Sequence, residues 1–426
     1  MLKRLFNKRT KEVLLDSRTI RLSFISFLTV LLFTFFIEVI VTNGKEGMQV
    51  FFQDPYDTFM DFFKVQKSIA NMSPVTEGIY PPLAYIILLP FTPFANYSQL
   101  TAYAARASQA GIMSFIIFLM LWIFIGAIFL KKILSENEKE KNIIIFLLFF
   151  SAPMLFLLER GNINIAVLAF VAVFFAYYEN ENSVLREIAI IALAFATGIK
   201  LYPALFGLLL FRKDTLPYFF RLVGYCILTV ILPFLCFEGG LNNIKTMIGN
   251  IFFYSKGFSE WPDYLALRSV MGFEAMFRSI SIKLDGAHSQ EWYIIVSRIT
   301  TFVMLAGSVV GSFFVDRKWK RVMLLTCPIV LFPAMSATYN AIFLFIPILL
   351  FLKEKERRLT DYLYLIMFVI VLSPAQYGNW IEMVAKSTVI SNISVIAVNF
   401  ILSIEGLVGL IKAMREKTIM QKFWNA

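Results

Sequence analysis

The residues able to do chemistry in this chain are three aspartates, two isolated cations and a few amides, set against an otherwise apolar background. Lys200 lies inside the apolar stretch Ile188–Phe211. A lysine inside a bilayer costs about 2.5–3.5 kcal/mol on insertion scales, so its presence there reads as function. The run Thr197-Gly198-Ile199-Lys200-Leu201-Tyr202-Pro203 holds a glycine and a proline that both oppose a continuous helix, so the chain should break at Lys200. A lysine at such a break either snorkels to the interface or holds an anion. The break between two helix halves favours the anion.

Upstream stand Asp54, Asp57 and Asp61, then Lys64 and Lys67, and the sequence Gly78-Ile79-Tyr80-Pro81-Pro82-Leu83. The spacing of Asp57 and Asp61 predicts two carboxylates one helical turn apart on one face. A carboxylate within hydrogen-bond reach of a hydroxyl can serve as its general base. The same residues, with Phe59, Phe62, Phe63 and Val65 around them, also read as a solvated amphipathic helix at the interface. The double proline fixes where the chain turns toward the membrane.

A third group is Glu159-Arg160-Gly161-Asn162-Ile163-Asn164 at a helix junction. Gly161 suits a tight turn and Asn162 suits the cap of the next helix. The guanidinium fork of Arg160 suits a phosphate, with a helix dipole in its favour, or a structural pairing with Glu159. Later in the chain Arg268-Ser269 and Arg278 place positive charge near Trp261 and Tyr264. Tyr339-Asn340 and Gln376 are weaker candidates for the same cavity, and His288 reads as an ordinary loop residue.

The elements that must position these groups follow from composition. The 426-residue chain is 58% hydrophobic and 16% charged, with a mean hydropathy of +0.71. Soluble domains are nearer 45–50% apolar and about 25% charged, so this is a polytopic membrane protein. Its net charge of +11 sits in short clusters between apolar spans, as the positive-inside rule expects of cytoplasmic loops, and argues against nucleic acid. The basic N-terminus Met1–Arg21 precedes an apolar run from Leu22 with no small-residue cleavage site, which reads as an uncleaved first helix. Cys226, Cys236 and Cys327 lie in apolar segments without metal-ligand spacing and read as small core residues. The single histidine excludes a multi-histidine metal site.

With both termini inside, 27 of the 40 Lys/Arg fall in predicted cytoplasmic segments. Twelve apolar segments follow, from about 22–42 to about 388–411. Several are shorter than the ~20 residues of a straight span. The pairs 187–199 with 201–211, and 322–335 with 341–352, read as broken helices meeting at a cavity in the outer leaflet. Pro82–Phe94 reads as a half-buried helix on the outer side; a full span returned near Ser98–Ser108 is the alternative. The expected fold is all-α: a single transmembrane domain over 1–426 with about 11–13 transmembrane or half-membrane helices. Two outer loops, about 42–109 and about 238–291, should carry interfacial helices over that cavity.

Taken in order, Asp61-Phe62, Tyr80-Pro81-Pro82-Leu83, Gly161-Asn162-Ile163-Asn164, Lys200-Leu201-Tyr202-Pro203 and Arg268-Ser269 resemble one family. The chain looks like the polytopic GT-C glycosyltransferases that include polyprenyl-phosphomannose-dependent mannosyltransferases. The likeness covers most of the chain to about residue 280. It implies a GT-C-like helical bundle in the plasma membrane, with its active site on the extracytoplasmic side. It further implies transfer of a monosaccharide, with inversion, from a polyprenyl-phosphate donor to a lipid, glycan or protein acceptor. Asp61 would be the base, with Asp57 its rival. Arg160, Lys200 and Arg268 would hold the donor phosphate, and Tyr80, Asn162, Asn164 and Tyr202 would bind substrate. No metal ligand is assigned, although the clustered aspartates are a weak ligand set for a divalent cation. Family members often carry Gly-Gln where this chain has Gly161-Asn162, and mannose itself is not implied. The alternatives are a polysaccharide polymerase, which would draw on a lipid-linked oligosaccharide, and a transporter, which would want internal repeats and a polar path open to both sides. No repeat is present.

Overall fold

A computed structural model describes residues 16–45, 55–71, 78–260, 271–285, 292–333, 336–381 and 384–425. The chain runs through α1 (Ser17–Val41), α2 (Met60–Ala70), α3 (Pro82–Leu88), α4 (Ala102–Ala107), α5 (Gln109–Ile133), α6 (Glu138–Phe149) and α7 (Ala152–Arg160). It continues with α8 (Asn164–Tyr177), α9 (Ser183–Ile199), α10 (Leu216–Ile231), α11 (Asn243–Glu260), α12 (Phe273–Asp285) and α13 (Trp292–Ser312). Last come α14 (Lys318–Leu331), α15 (Phe345–Lys353), α16 (Asp361–Leu372), α17 (Lys386–Arg415) and α18 (Ile419–Asn425). One small antiparallel pair, Asn379–Ile381 with Val384–Ala385, interrupts the helices. The fold is all-α, as the sequence predicts.

Among the described residues, five helices are long and apolar enough to cross a membrane: α1, α5, the stretch Leu216–Cys236, α13 and α17. α6 and α7 together make a sixth if read as one broken span. Pro82–Phe94, Asn164–Tyr177, Thr338–Lys353 and Asp361–Leu372 are apolar but shorter, which matches the half-length segments expected from sequence. α1 shows why these helices suit lipid. Phe24, Leu28, Leu32 and Phe35 are buried at helical spacing, while Phe27, Val30, Phe33 and Ile37 are exposed on the other face. A helix apolar all round needs either a core or a bilayer.

The chain divides into two compact units. One comprises Met1–Gly47, Lys131–Leu155 and Leu267–Lys417. Its core centres on Trp319, which meets the rings of Phe351, Tyr364 and Phe368 edge-on at 5.1, 5.0 and 6.1 Å. Arg317 donates to both oxygens of the buried Asp361 at 2.9 and 3.0 Å. α13 and α17 cross at Gly311 and Gly406; a methyl on Gly406 would stand 2.4 Å from Gly311 Cα.

The other unit comprises Met48–Leu130, Phe156–Ala266 and Thr418–Ala426. α8 is buried on nearly every side and α9 packs against it, aided by the small residues Ala189, Ala194 and Ala196. α9 runs through Gly198 and stops at Ile199, and Lys200 takes an extended conformation as its C-cap. A 3-10 helix, Tyr202–Leu210, follows with Pro203 near its start. The break predicted at Lys200 is therefore present, with Gly198 serving a different purpose from the one expected. A Cβ at residue 198 would stand 2.5 Å from Leu83 Cδ2 and 2.9 Å from the Thr229 carbonyl oxygen, so its absence lets α3, α9 and α10 meet. Cys327 is buried as expected, Cys226 is half-buried and Cys236 is exposed, and all three are free.

Candidate functional site

Two backbone features bring the acids to the cations. Phe59 adopts a left-handed conformation (φ 59°) and its N–H donates to the Glu159 carbonyl at 2.7 Å. Gly161 is also left-handed (φ 67°), and a Cβ there would meet Phe59 O at 3.1 Å and the Phe115 ring at 3.0 Å. The turn before α2 and the end of α7 thus lock together, and only a glycine lets them approach so closely.

Asp57 and Asp61 do not share one helical face. Asp57 ends the 3-10 turn Pro55–Asp57, and the left-handed Phe59 delays α2 until Met60. The carboxylates converge through Arg160 instead. Arg160 Nη2 donates to Asp61 Oδ1 at 2.5 Å, and Nη1 pairs with Asp57. Lys64 lies 3.7 Å from Asp57. Charge-assisted bonds of this kind are each worth about 1.5–3 kcal/mol where solvent is excluded, and Arg160 and Asp61 are 23% and 15% exposed.

Asn162 works at both ends. Its Nδ2 donates to Asp61 Oδ2 at 2.7 Å, and its Oδ1 accepts the Asn164 N–H at 3.0 Å; the N-cap of α8 is Ile163, one residue later than the cap expected at Asn162. Asn164 Oδ1 in turn accepts from Tyr202 Oη at 2.9 Å. A single hydrogen-bonded path, passing through the Asn164 backbone N–H, therefore connects Asp61 to the segment after Lys200. Burial pushes the Asp61 carboxyl above the usual carboxylate range, while the Asn162 bond and the charges of Lys200 and Lys64 pull against it.

Lys200 makes no ion pair with any described residue. Its ammonium lies 4.2 Å from the centroid of the Tyr80 ring, and its charge acts on Asp61 without touching it. The Tyr80 ring supplies roughly 0.5–2 kcal/mol to a lysine so placed, and among the described residues no side chain accepts a hydrogen bond from the ammonium.

Sequence reasoning missed Arg106. From the short helix α4 its Nη1 donates to the carbonyls of Pro55, Tyr56 and Thr58 at 2.7, 3.2 and 3.0 Å. It thereby fixes the loop that carries Asp57. Nothing in the local sequence, an arginine among alanines, marks it.

The site so assembled contains Asp57, Asp61, Tyr80, Arg160, Asn162, Asn164, Lys200 and Tyr202. Arg268, Ser269, Trp261, Tyr264, Asp54 and His288 lie outside the described residues. Arg278, Tyr339, Asn340 and Gln376 belong to the other unit, where Asn340 donates to Ser336 Oγ at 2.9 Å and the Gln376 N–H to Glu38 Oε2 at 3.2 Å. No group of three or more His, Cys, Asp or Glu among the described residues is placed to hold a metal ion. Chemically, the site offers one carboxylate oriented by an amide and a guanidinium, and near it one cation without an ion-pair partner among the described residues.

The family model of glycosyltransferase family 87 matches residues 79–374, a stretch that begins after Asp57 and Asp61 and contains Tyr80, Arg160, Asn162, Asn164, Lys200 and Tyr202. No curated protein matches the chain, and no solved structure does.

Proposed function

Because the chain belongs to glycosyltransferase family 87, we propose that this membrane glycosyltransferase moves a monosaccharide from a polyprenyl-phosphate carrier to a glycan, lipid or protein hydroxyl. The reaction takes place on the extracytoplasmic face of the plasma membrane, with both chain termini in the cytoplasm. What supports the reading is the pairing of an oriented carboxylate, Asp61, with a cation, Lys200, that has no carboxylate partner among the described residues.

Asp61 takes the proton of the acceptor hydroxyl as its oxygen bonds to the anomeric carbon. The bond from that carbon to the phosphate oxygen breaks on the opposite face, and the sugar inverts. The electron pair leaves with the carrier phosphate, whose growing charge Lys200 stabilises through its N–H donors. Arg160 keeps the carboxylates oriented, and its guanidinium is the second group within reach of the phosphate. Asp57 helps hold Arg160 and is the alternative base. Tyr80 seats Lys200, while Asn162, Asn164 and Tyr202 set the spacing between acid and cation. Arg268 is a further candidate phosphate ligand.

The test is purified enzyme supplied with a panel of carrier-linked monosaccharides, reading released polyprenyl phosphate. The wild type should release it with at least one sugar and Asp61→Asn should not, while expressing to the same level. Full activity in that variant would move the base to Asp57 or elsewhere.

A further inference from the structure

The buried residues of α2 are Met60, Phe62, Phe63, Gln66 and Ile69, an apolar set with one amide in it. Gln66 is 0% exposed, and both ends of its amide are used. Nε2 donates to the Leu88 carbonyl at 3.0 Å, and Oε1 accepts from Thr92 Oγ1 at 2.5 Å. A leucine would fill such a face without any polar group to desolvate. The amide therefore supplies direction, which apolar burial cannot.

Its two partners stand on either side of a helix break. Leu88 ends α3, and Thr92 lies in the 3-10 stretch Leu89–Phe94 that follows, which holds Pro90 and Pro93. Neither proline can donate a backbone hydrogen bond, so the junction has fewer internal ties than a continuous helix. Gln66 bridges it from outside. The next residue acts alike, for Lys67 Nζ donates to the Tyr97 and Ser98 carbonyls at 2.9 and 3.0 Å. The two joined pieces carry different halves of the candidate site. α2 bears Asp61, and α3 begins two residues after Tyr80, whose ring seats the Lys200 ammonium. A roll of α2 by about 10° would move a carboxylate about 6 Å from its axis by about 1 Å. A misplacement of that size can cost about 10²-fold in rate.

We infer that Gln66 is a positioning residue for sugar transfer, setting where Asp61 stands relative to the Tyr80 seat of Lys200 by stapling α2 across the break after α3. Arg160 and Asn162 hold the carboxylate itself, whereas Gln66 holds the helix that bears it. The inference rests on the reading of Asp61 as the base and Lys200 as the phosphate-binding cation.

The test uses the full-length protein in detergent. Gln66→Met keeps the side-chain length and removes both bonds. Its kcat for release of polyprenyl phosphate should fall about tenfold or more, with donor KM unchanged. Gln66→Met with Thr92→Val also removes the stranded hydroxyl and should recover Tm, since replacing both partners of a buried bond is nearly neutral. Its kcat should stay low. Recovery of kcat together with Tm would leave Gln66 a purely structural residue and overturn the inference. A second readout needs no substrate. Spin labels on Lys64→Cys and Ile79→Cys, both exposed positions, are placed in a chain with Cys226, Cys236 and Cys327 changed to alanine. Their distance distribution should broaden on adding Gln66→Met, and an unchanged distribution would overturn the inference whatever the donor. A wild type that turns over no carrier-linked sugar would instead sink the donor assignment, and the label distances alone would then decide on Gln66. Should Gln66→Met fail to fold, Thr92→Val takes its place with the same readouts.

Discussion

Asn162 donates to one oxygen of Asp61 while the other oxygen is held by Arg160, so the carboxylate has a fixed orientation before any substrate arrives. The Asn162 bond favours the ionised form, and burial opposes it. Deleting the amide therefore raises the pKa of Asp61 further. A base raised in this way is lost as pH falls through its folded value. Asn162→Ala should move the acid limb of the kcat/KM profile to higher pH than in the wild type. An unmoved limb would separate Asp61 from the titration that limits the rate.

The two aspartates can be told apart by size of effect. A positioned general base contributes about 10²–10⁴-fold, so Asp61→Asn should lose that much in kcat. Asp57 touches Arg160 and Lys64 but not Asn162, so Asp57→Asn should cost less, through looser placement of Arg160. The reverse order, read in single-turnover transfer, would exchange their roles.

Lys200 has an aromatic seat and no carboxylate partner among the described residues, so its variants should report on the donor. Lys200→Ala should raise KM for the carrier-linked sugar more than KM for the acceptor. Tyr80→Phe keeps the ring and should be close to wild type, whereas Tyr80→Leu forfeits roughly 0.5–2 kcal/mol of cation–π attraction. Initial rates at varied donor concentration separate the three.

Arg106 acts at a distance from the reacting atoms. Arg106→Ala removes three hydrogen bonds to the loop bearing Asp57. The expected outcome is a lower kcat with little change in donor KM, and partial rescue by Arg106→Lys. Wild-type kcat in the alanine variant would make the contact dispensable.

Gly161→Ala should be among the more damaging single methyl additions to the chain. Its left-handed backbone costs a side-chain-bearing residue about 1–2 kcal/mol, and the new methyl meets Phe59 O at 3.1 Å. A lower Tm together with lost transfer is expected, because the same contact holds Asp61 to Arg160.

How much of this was legible in advance depends on the range of the interaction. The break at Lys200 and the helix start at Pro82 each rest on a residue and its near neighbours, and both are visible in sequence. The half-length apolar segments were legible for the same reason, since hydrophobic runs have countable lengths. Arg160 meeting Asp61 across 99 positions left no local trace, nor did Arg106 gripping a loop 48 to 51 positions earlier. The left-handed Phe59 was hidden too, because an aromatic residue rarely adopts that conformation and nothing nearby announces it. The helical spacing of Asp57 and Asp61 was therefore misleading, although both acids do reach the same guanidinium.

The bare α-carbon at residue 198 has a consequence for reactivity. With no methyl group there, Leu83 presses against α9, and the tyrosine three positions before Leu83 is carried over the ammonium two positions beyond the glycine. The seat of the aromatic ring over that ammonium is thus gauged by a hydrogen atom. Gly198→Ala would act as a shim, shifting the aromatic lid sideways while every polar side chain of the site kept its identity.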